Sequence, residues 1–492
     1  MTGLLVAGTT SDAGKSLVTA GICRLLARRG MAVAPFKAQN MSNNSMVCAD
    51  GAEIGRAQWV QARAAGVEPE AAMNPVLLKP GSDRRSHVVA LGKPFGTLDA
   101  GEYATGRAGL AEIAFGAFED LRTRYDVVVC EGAGSPAEIN LRGGDYVNMG
   151  LARRFGLPVL VVGDIDRGGV LAAMFGTLAL LSAEDQALVA GWVVNKFRGD
   201  VGLLRPGLDS LEKVTGRPVL GVLPWLDRVW IDSEDALAAA GWRREAPGRG
   251  LTVAVVRFPR ASNATDVDAL AAEPGVTVTL TADPDVVAAA DVVVLPGSRA
   301  TVADLAWLRD RGLDTAVVAR AAAGRPVLGI CGGYQMLVQS IVDDVESGAG
   351  AVPGLGLLPG RVTFAAEKVL ARPSGTWQGH PVDAYAIHHG SVATTAAESF
   401  LDGQRAGAVW GTMWHGAFEN DAFRRAWLTE AAAQAGVAWA PAPGAPGFGD
   451  LREEMLDKLA DAVDEHLDTG MLRTLLERGA PPDLPFVPPG AP

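Results

Sequence analysis

Short apolar runs alternate with longer segments of helical periodicity over residues 1–225 of the chain. Six of these runs are predicted strands, at 4–7, 32–36, 126–130, 158–162, 192–195 and 219–223. Helices are predicted between them, for example at 16–29, 54–65, 112–124 and 170–181. Alternation of this kind predicts a parallel sheet covered by helices.

A second alternating series follows a Gly-, Pro- and Arg-rich segment at 241–250, which is typical of a linker and predicts a boundary near residue 248. Its strands are predicted at 251–258, 291–296, 326–330 and near residue 411. The fold class is therefore α/β, with two doubly wound parallel-sheet domains at 1–245 and 250–440. Residues 441–492 are predicted to form a helix at 451–467 and a disordered Pro-rich tail.

Composition and charge exclude several classes of protein. The 492 residues carry a net charge of -12, and no stretch concentrates Lys and Arg, so nucleic acid is not expected as a partner. The apolar runs are too short and interrupted to span a bilayer, and the N-terminus enters a strand directly, which predicts a cytoplasmic protein without membrane association. The 4 cysteines are widely separated, so a metal would be held by oxygen ligands.

The segment GTTSDAGKS lies between the first predicted strand and the first predicted helix, where a phosphate-binding loop is expected. Lys15 would neutralise the β- and γ-phosphates, and the Ser16 hydroxyl would reach Mg²⁺. An ordinary Gly-rich turn is the alternative. The predicted ATP-binding residues of the loop are Gly8, Thr9, Thr10, Ser11, Asp12, Ala13, Gly14, Lys15 and Ser16.

Mg²⁺ at a triphosphate also needs carboxylates. Glu131 ends a strand at the edge of the sheet where ligands gather, and Asp50 precedes a predicted helix, where a simple N-cap is the alternative to metal binding. Lys37 follows the second strand and would face a transferred phosphate, unless it is a solvated surface lysine. Asp164 and Asp166 also end a strand, and their roles in binding metal or substrate cannot be separated from sequence.

Cys331 lies between an apolar run and a predicted helix, with glycines on both sides, in the sequence GICGGYQ. A sharp strand-to-helix turn would present this thiol, and the helix N-terminus would favour its thiolate; a small buried cysteine is the alternative. Among the 6 histidines, His415 ends a late apolar run of the same domain and is the candidate base. A structural histidine is the alternative for His415 taken alone.

The order of Cys331 and His415 resembles that of the triad-type glutamine amidotransferases. That resemblance implies an oxyanion hole from the backbone of Gly297, Ser298 and Gly332. In those enzymes a glutamate follows the histidine by two residues, where this chain has Ala417. Glu419 has the wrong spacing, so a Cys331–His415 dyad is expected, with the role of Glu419 open.

A dethiobiotin-synthetase-like ATP domain followed by such a domain resembles the cobyrinic and cobyric acid synthases of cobalamin biosynthesis. Ten collinear segments favour the cobyric acid synthases: GTTSDAGKS, PFKAQNMSNNS, GAEIGRAQ, MNPVLLKP, EGAGSPAEINL, GDIDRGGV, VNKFRGD, SNATDVDAL, GICGGYQML and AIHHG. The resemblance implies a ligase that uses ATP, Mg²⁺ and glutamine to amidate the b, d, e and g carboxylates of adenosylcobyrinic acid a,c-diamide, giving adenosylcobyric acid.

Ammonia released at Cys331 would have to reach an acyl phosphate at the ATP site, so a shielded route between the domains is expected. The corrinoid site is expected at the carboxyl ends of the first domain's strands. Its candidate residues, each with solvated loop as the alternative, are Gln39, Asn40, Asn43, Asn44, Asp164 and Asp166. His388 and residues 262–266 are assigned to the domain interface or the substrate.

Two other functions remain open. A cobyrinic acid a,c-diamide synthase would share both domains but act on different carboxylates. A P-loop regulatory ATPase with a degenerate amidotransferase domain would show no glutaminase activity. The sequence leaves the oligomeric state and the order of amidations undetermined.

Overall fold

A computed structural model describes residues 3–80, 85–99, 107–227, 229, 250–394 and 398–490. The predicted linker at 241–250, and with it the boundary near residue 248, lies outside these residues except for Gly250. The first half contains twelve strands and seven α-helices within the described residues: β1 (Gly3–Gly8), α1 (Lys15–Arg28), β2 (Val33–Phe36), β3 (Gln39–Met41), β4 (Ser45–Val47), β5 (Glu53–Gly55), α2 (Arg56–Ala64), β6 (Val76–Pro80), β7 (Arg85–Ala90), β8 (Lys93–Asp99), α3 (Arg107–Arg124), β9 (Val127–Glu131), α4 (Met149–Phe155), β10 (Val159–Asp164), α5 (Val170–Ala179), α6 (Ala183–Gln186), β11 (Val189–Phe197), α7 (Val201–Thr215) and β12 (Val219–Pro224).

The main sheet of the first half has six parallel strands in the order β12-β11-β10-β1-β9-β2. Its central strands are buried on both faces, which explains why they read as continuous apolar runs in the sequence. All six predicted strands are present, so this part of the predicted fold is confirmed. The predicted helix at 54–65 begins later, at Arg56, because residues 53–55 form β5.

Two smaller sheets lie between β2 and α3, where the sequence predicted a helix but no strand. β3, β6, β7 and β8 form a four-stranded sheet, and β4 pairs with β5 in a hairpin. Together they place the segment from Gln39 to Ser45 between the main sheet and the second half of the chain.

Where its residues are described, the second half contains fifteen strands and six α-helices before the C-terminal pair: β13 (Leu251–Val256), β14 (Ala261–Ser262), α8 (Asp268–Ala272), β15 (Val276–Thr281), α9 (Pro284–Ala289), β16 (Val292–Leu295), β17 (Gly297–Ser298), α10 (Thr301–Asp310), α11 (Leu313–Ala322), β18 (Val327–Ile330), α12 (Gly332–Leu337), β19 (Val338–Asp343), β20 (Gly350–Pro353), β21 (Leu358–Ala371), β22 (Ser374–Trp377), β23 (His380–Asp383), β24 (Ala386–Ala393), β25 (Glu398–Phe400), β26 (Gly403–Ala406), β27 (Val409–Thr412) and α13 (Asp421–Ala435). A seven-stranded sheet runs β15-β13-β16-β18-β27-β26-β25. It is parallel through β27 and antiparallel at β26 and β25.

The second half also carries a four-stranded sheet, β20-β19-β21-β24, that the sequence did not indicate. β24 continues towards the first half, where Ile387 and Tyr385 pack against Val47. The two halves therefore meet through their inserted sheets.

The C-terminal segment returns to the first half of the chain. Helix α14 (Phe448–His466) packs along α1, with Arg24 bonded to Asp457 at 2.9 Å, and α15 (Thr469–Arg478) follows it. The tail is not the disordered segment expected from its composition. Val487 is buried in the apolar core of the first half. Gln186 Nε2 donates a hydrogen bond to the Val487 carbonyl at 2.8 Å.

Candidate functional site

The predicted phosphate loop joins the end of β1 to the start of α1. Gly14 takes φ +97 and lies so close to Asn195 that an added Cβ would be 2.0 Å from its amide nitrogen. Lys15 is buried, and its Nζ donates to the carbonyls of Thr10 at 2.9 Å and Gly134 at 3.2 Å. The loop thus curves around a lysine at a helix N-terminus, an arrangement suited to phosphate.

Glu131 is the centre of a buried polar cluster beside this loop. Its carboxylate accepts from Ser16 Oγ at 2.9 Å, Lys37 Nζ at 2.8 Å and Gln61 Nε2 at 2.5 Å. Burial alone would raise the pKa of Glu131, but the Lys37 ammonium and the bonds from Lys37 and Gln61 lower it below its ordinary value. An ionised carboxylate therefore lies against the Ser16 hydroxyl, with Lys37 as a buried cation.

Ser16 and Glu131 fit a magnesium ion bound together with a triphosphate. One hydroxyl and one carboxylate would hold the ion together with phosphate oxygens and waters, and the described residues contain no cluster of three or more His, Cys, Asp or Glu. Asp50 does not belong to this group. It lies in the exposed turn between β4 and β5, where its carboxylate accepts the Ala52 N–H at 3.0 Å, and it caps no helix, because α2 begins at Arg56.

The six predicted corrinoid-site residues are divided by the structure. Gln39 and Asn40 line a cavity of about 1340 Å³, including its open mouth, which Lys15, Ser16 and Glu131 also line. The predicted residues outside this lining are Asn43, Asn44, Asp164 and Asp166. Asp164 instead accepts from Lys196 at 2.7 Å, and Asp166 pairs with Arg198, so both contribute to salt bridges near the phosphate loop.

Cys331 lies in the turn between β18 and α12, at φ +49, a strained conformation for a residue other than glycine. A Cβ at Gly332 would be 2.6 Å from the Ser298 backbone nitrogen, so glycine is required for this approach. A Cβ at Gly297 would lie 3.0 Å from His415 Cε1. The three predicted oxyanion-hole residues and the two predicted catalytic residues are thus brought together.

Asp266, which the sequence did not group with Cys331 and His415, lies directly beside His415. Its Oδ2 lies 2.6 Å from His415 Nδ1, and its Oδ1 accepts the Gly416 N–H at 2.7 Å. Burial would lower the pKa of His415, but Asp266 and Cys331 outweigh it and raise the value to about 10. Cys331, His415 and Asp266 thus form a triad-like arrangement, and the raised pKa of His415 favours the imidazolium form.

Glu419, whose role was open, lies outside this group. It accepts from Arg56 of α2 at 2.5 Å and from Arg452 of α14 at 3.1 Å. Burial opposes ionisation, but the two guanidinium groups lower the pKa of Glu419 to about 2. This carboxylate therefore joins the two halves and the C-terminal helix.

The pocket at Cys331 is polar and receives a side chain from each half of the chain. Lys79 comes from β6 and Lys368 from β21, while Ser298, Gln335 and His388 complete part of the wall. Burial, with the nearby His415 and His389, lowers the pKa of His388 to about 4, so this imidazole is neutral near pH 7.

Buried polar side chains continue from this pocket towards Glu131. Lys79 and Lys368 both bind Glu53, at 2.5 Å each, and Lys79 also donates to Ser45 Oγ at 2.9 Å. Burial outweighs Glu53 and lowers the pKa of Lys79 to about 8. Ser45 is linked to the second half because its N–H donates to Asn263 Oδ1 at 2.8 Å.

Three buried amide side chains lie on β3 and α2, and one of them contacts Glu131. Asn40 donates to Gln58 at 3.0 Å, and Gln61, one turn further along α2, donates to Glu131. Asn40 Oδ1, Gln58 Nε2 and Gln61 Oε1 are buried without a hydrogen-bond partner among the described residues. Such atoms are costly unless a polar molecule binds them.

Known proteins match both halves of the chain. A family described as the CobQ/CobB/MinD/ParA nucleotide binding domain matches residues 4–237, and the CobB/CobQ-like glutamine amidotransferase domain matches residues 252–423. The cobyric acid synthase of Cutibacterium acnes is 60% identical over 97% of this chain and 100% of its own. Those of Mycolicibacterium vanbaalenii and Streptomyces avermitilis are 60% and 61% identical over 100% of this chain, and over 100% and 99% of their own chains.

The chain belongs to the cobyric acid synthase family. It is accordingly a glutamine-hydrolysing ligase of cobalamin biosynthesis, with a P-loop nucleotide-binding domain and a glutamine amidotransferase domain. In the described part of the chain, every helix is too short or too polar to cross a membrane.

Proposed function

We propose that this enzyme amidates the b, d, e and g carboxylates of adenosylcobyrinic acid a,c-diamide at the expense of ATP and glutamine. The observation that carries the proposal is that one chain holds two pockets of complementary chemistry. One pocket has a phosphate loop with Lys37 and Glu131, and the other has Cys331 with His415 and Asp266.

Glutamine hydrolysis would begin when the Cys331 thiolate attacks the side-chain carbonyl of glutamine. The backbone N–H groups at Ser298 and Gly332 are the candidates to stabilise the oxyanion. His415 donates its proton to the departing ammonia, then takes a proton from the water that hydrolyses the thioester. Asp266 keeps Nδ1 protonated, so that Nε2 is the nitrogen that exchanges protons with substrate.

Activation of the corrinoid carboxylate would take place at the phosphate loop. A carboxylate oxygen attacks the γ-phosphorus, the bond to the β,γ-bridging oxygen breaks, and ADP leaves an acyl phosphate. Lys15 and Lys37 neutralise the charge that develops on the phosphoryl oxygens. Mg²⁺, held by Ser16 and Glu131, would supply further charge neutralisation. Ammonia then attacks the acyl carbon and inorganic phosphate departs.

Ammonia would pass between the pockets along the buried side chains. Lys79 and Glu53 lie at the glutaminase end, and Asn40, Gln58 and Gln61 continue to Glu131. The unpartnered amide oxygens can accept from ammonia, and the unpartnered Gln58 Nε2 can donate to its lone pair. Gly55 borders this route, since a Cβ there would be 2.8 Å from atoms of Asn40, Asn74 and Gln58.

The proposal is tested with wild type and Cys331→Ala, each given ATP and the a,c-diamide with either glutamine or ammonium. The variant should make the amidated product from ammonium only. Product from glutamine would contradict the role of Cys331, and loss of both reactions in a folded variant would contradict the division between two sites. Consumption of cobyrinic acid in place of its a,c-diamide would favour an a,c-diamide synthase. Absence of glutaminase activity in wild type would favour a regulatory ATPase.

A further inference from the structure

The backbone nitrogen of Ser298 adjoins Gly332. Arg299 N–H donates to the Arg260 carbonyl at 2.8 Å, and Ser298 is the register partner of Ala261 in the antiparallel pair of β14 and β17. Hydrogen-bonded and non-hydrogen-bonded pairs alternate along such a ladder, so Ala261 and Ser298 form a pair of the second kind. The Ser298 N–H therefore points away from β14, and its nitrogen is so close to Gly332 that a Cβ there would be 2.6 Å from it.

Asp304 of α10 fixes the side chain of Ser298. Ser298 Oγ donates to Asp304 Oδ2 at 2.6 Å and accepts the Ala300 N–H at 3.0 Å. Asp304 is 1% exposed, and its own N–H donates to the Ala300 carbonyl at 2.9 Å. Burial raises the pKa of Asp304 to about 6, against the bonds from Ser298 and Arg260. The carboxylate is therefore ionised at pH 8, and its bond from the Ser298 hydroxyl is charge-assisted.

The first turn of α10 holds the wall of the glutaminase pocket at two points. Thr301, the first residue of the helix, donates from its hydroxyl to Gln335 Oε1 at 3.0 Å, and Asp304 holds Ser298. Both Ser298 and Gln335 line the pocket that contains Cys331. The Ser298 hydroxyl is thus directed to α10, and the backbone of the same residue is left to face the Cys331 turn.

We propose that Asp304 is a positioning residue of the oxyanion hole, because it holds the Ser298 hydroxyl and thereby fixes the Ser298 N–H. In the attack on glutamine, Cys331 Sγ bonds to the amide carbon and the π pair of the carbonyl moves to its oxygen. The N–H must lie within hydrogen-bonding distance of that oxygen, and a shift of about 1 Å lowers the rate strongly. This inference rests on the proposed function, which places the oxyanion at Ser298 and Gly332.

The test separates binding of glutamine from stabilisation of the oxyanion. Asp304→Ala should lower the kcat of glutamine hydrolysis at pH 8 by about 10–10²-fold and change KM by less than about twofold, because glutamine binds before its oxygen becomes charged. Alkylation of Cys331 by iodoacetamide should keep its rate, since the thiolate displaces iodide from carbon and no oxyanion forms. Asp304→Asn retains an oxygen that accepts from the Ser298 hydroxyl, and it should keep kcat within about threefold of wild type.

Asp291→Ala is the matched control in the same half of the chain. Asp291 is also buried and accepts from the Thr252 hydroxyl at 2.7 Å, but it precedes β16, whereas Ser298 follows the opposite end of that strand. Its replacement should lower the free energy of unfolding in urea and leave the kcat of glutamine hydrolysis within about threefold of wild type.

Ser298→Ala removes the other partner of the bond without altering α10. It should lower kcat as Asp304→Ala does, and the double variant should be no slower than either, since all three lose the same interaction. Multiplied losses in the double variant, an equal fall in kcat and in the alkylation rate, or a kcat for Asp304→Ala within about threefold of wild type would overturn the inference. Absence of glutaminase activity in wild type would instead overturn the proposed function.

Discussion

Asp266→Asn is the substitution that examines the catalytic triad most closely. In the wild type, one carboxylate oxygen lies 2.6 Å from His415 Nδ1 and the other accepts the Gly416 N–H at 2.7 Å. An asparagine that keeps the Gly416 bond turns its NH₂ group towards Nδ1. Nδ1 must then be the unprotonated nitrogen, so Nε2 carries the proton and cannot accept another from the thiol.

The expected loss follows from that tautomer and from the lost charge. Asp266 contributes most to raising the pKa of His415 from 6.5 to about 10, against burial, which lowers it. We expect the kcat of glutamine hydrolysis to fall by about 10⁴-fold, the loss found when the buried acid beside a triad histidine is replaced. Activity that requires the imidazolium should decline above about pH 10 in wild type, and at lower pH in the variant.

The assay is ammonia release from glutamine across pH, with ammonium-supported amidation as the measure of the other site. Glu419→Gln is the matched control. It changes the first acid after His415 in the sequence, and this acid binds Arg56 and Arg452 and not the triad. Its glutaminase kcat should stay within a few-fold of wild type. A kcat for Asp266→Asn within about tenfold of wild type, with an unshifted pH profile, would refute the reasoning.

Three further predictions concern the rest of the molecule. Gly55→Ala should reduce product formation with glutamine, and it should leave product formation with ammonium and the rate of glutamine hydrolysis unchanged. An equal loss of product with both nitrogen sources would exclude a route past this residue. Lys37→Met should lower ammonium-supported amidation by about 10²–10³-fold, because the buried cation is lost, while ammonia release from glutamine stays constant. Gly21→Ala should lower the free energy of unfolding by about 1–3 kcal/mol in urea titrations, since α1 and α14 must separate, and an unchanged midpoint would contradict their close packing.

The parallel sheets were predictable from the sequence because their strands are buried on both faces. Val127–Glu131 and Val159–Asp164 are continuous apolar runs that end at the site. The inserted sheets were not predictable in the same way. β3, β4 and β5 have three residues each, too few for a periodic signal, and they lie among asparagines and glycines that favour loops.

The phosphate loop and the Cys331 turn have local signals, since glycines and a reactive side chain stand next to one another in sequence. Asp266 has no such signal, because 149 residues separate it from His415 and the two pair only in the folded chain. The segment SNATDVDAL contributes to the family resemblance, but the sequence cannot assign roles to its acids without that pairing. The contacts of the C-terminal tail are not predictable from its proline-rich composition, because composition does not show which apolar surface elsewhere in the chain the tail packs against.

The central claim is that ammonia made at Cys331 reaches the ATP site without entering solvent. The most direct measurement gives wild type ATP, the a,c-diamide and glutamine labelled with ¹⁵N in its amide, together with excess unlabelled ammonium, and determines the isotope in the new amides by mass spectrometry. The account predicts product labelled mainly with ¹⁵N while glutamine is present. Dilution of the label to the proportion in bulk ammonia would contradict it.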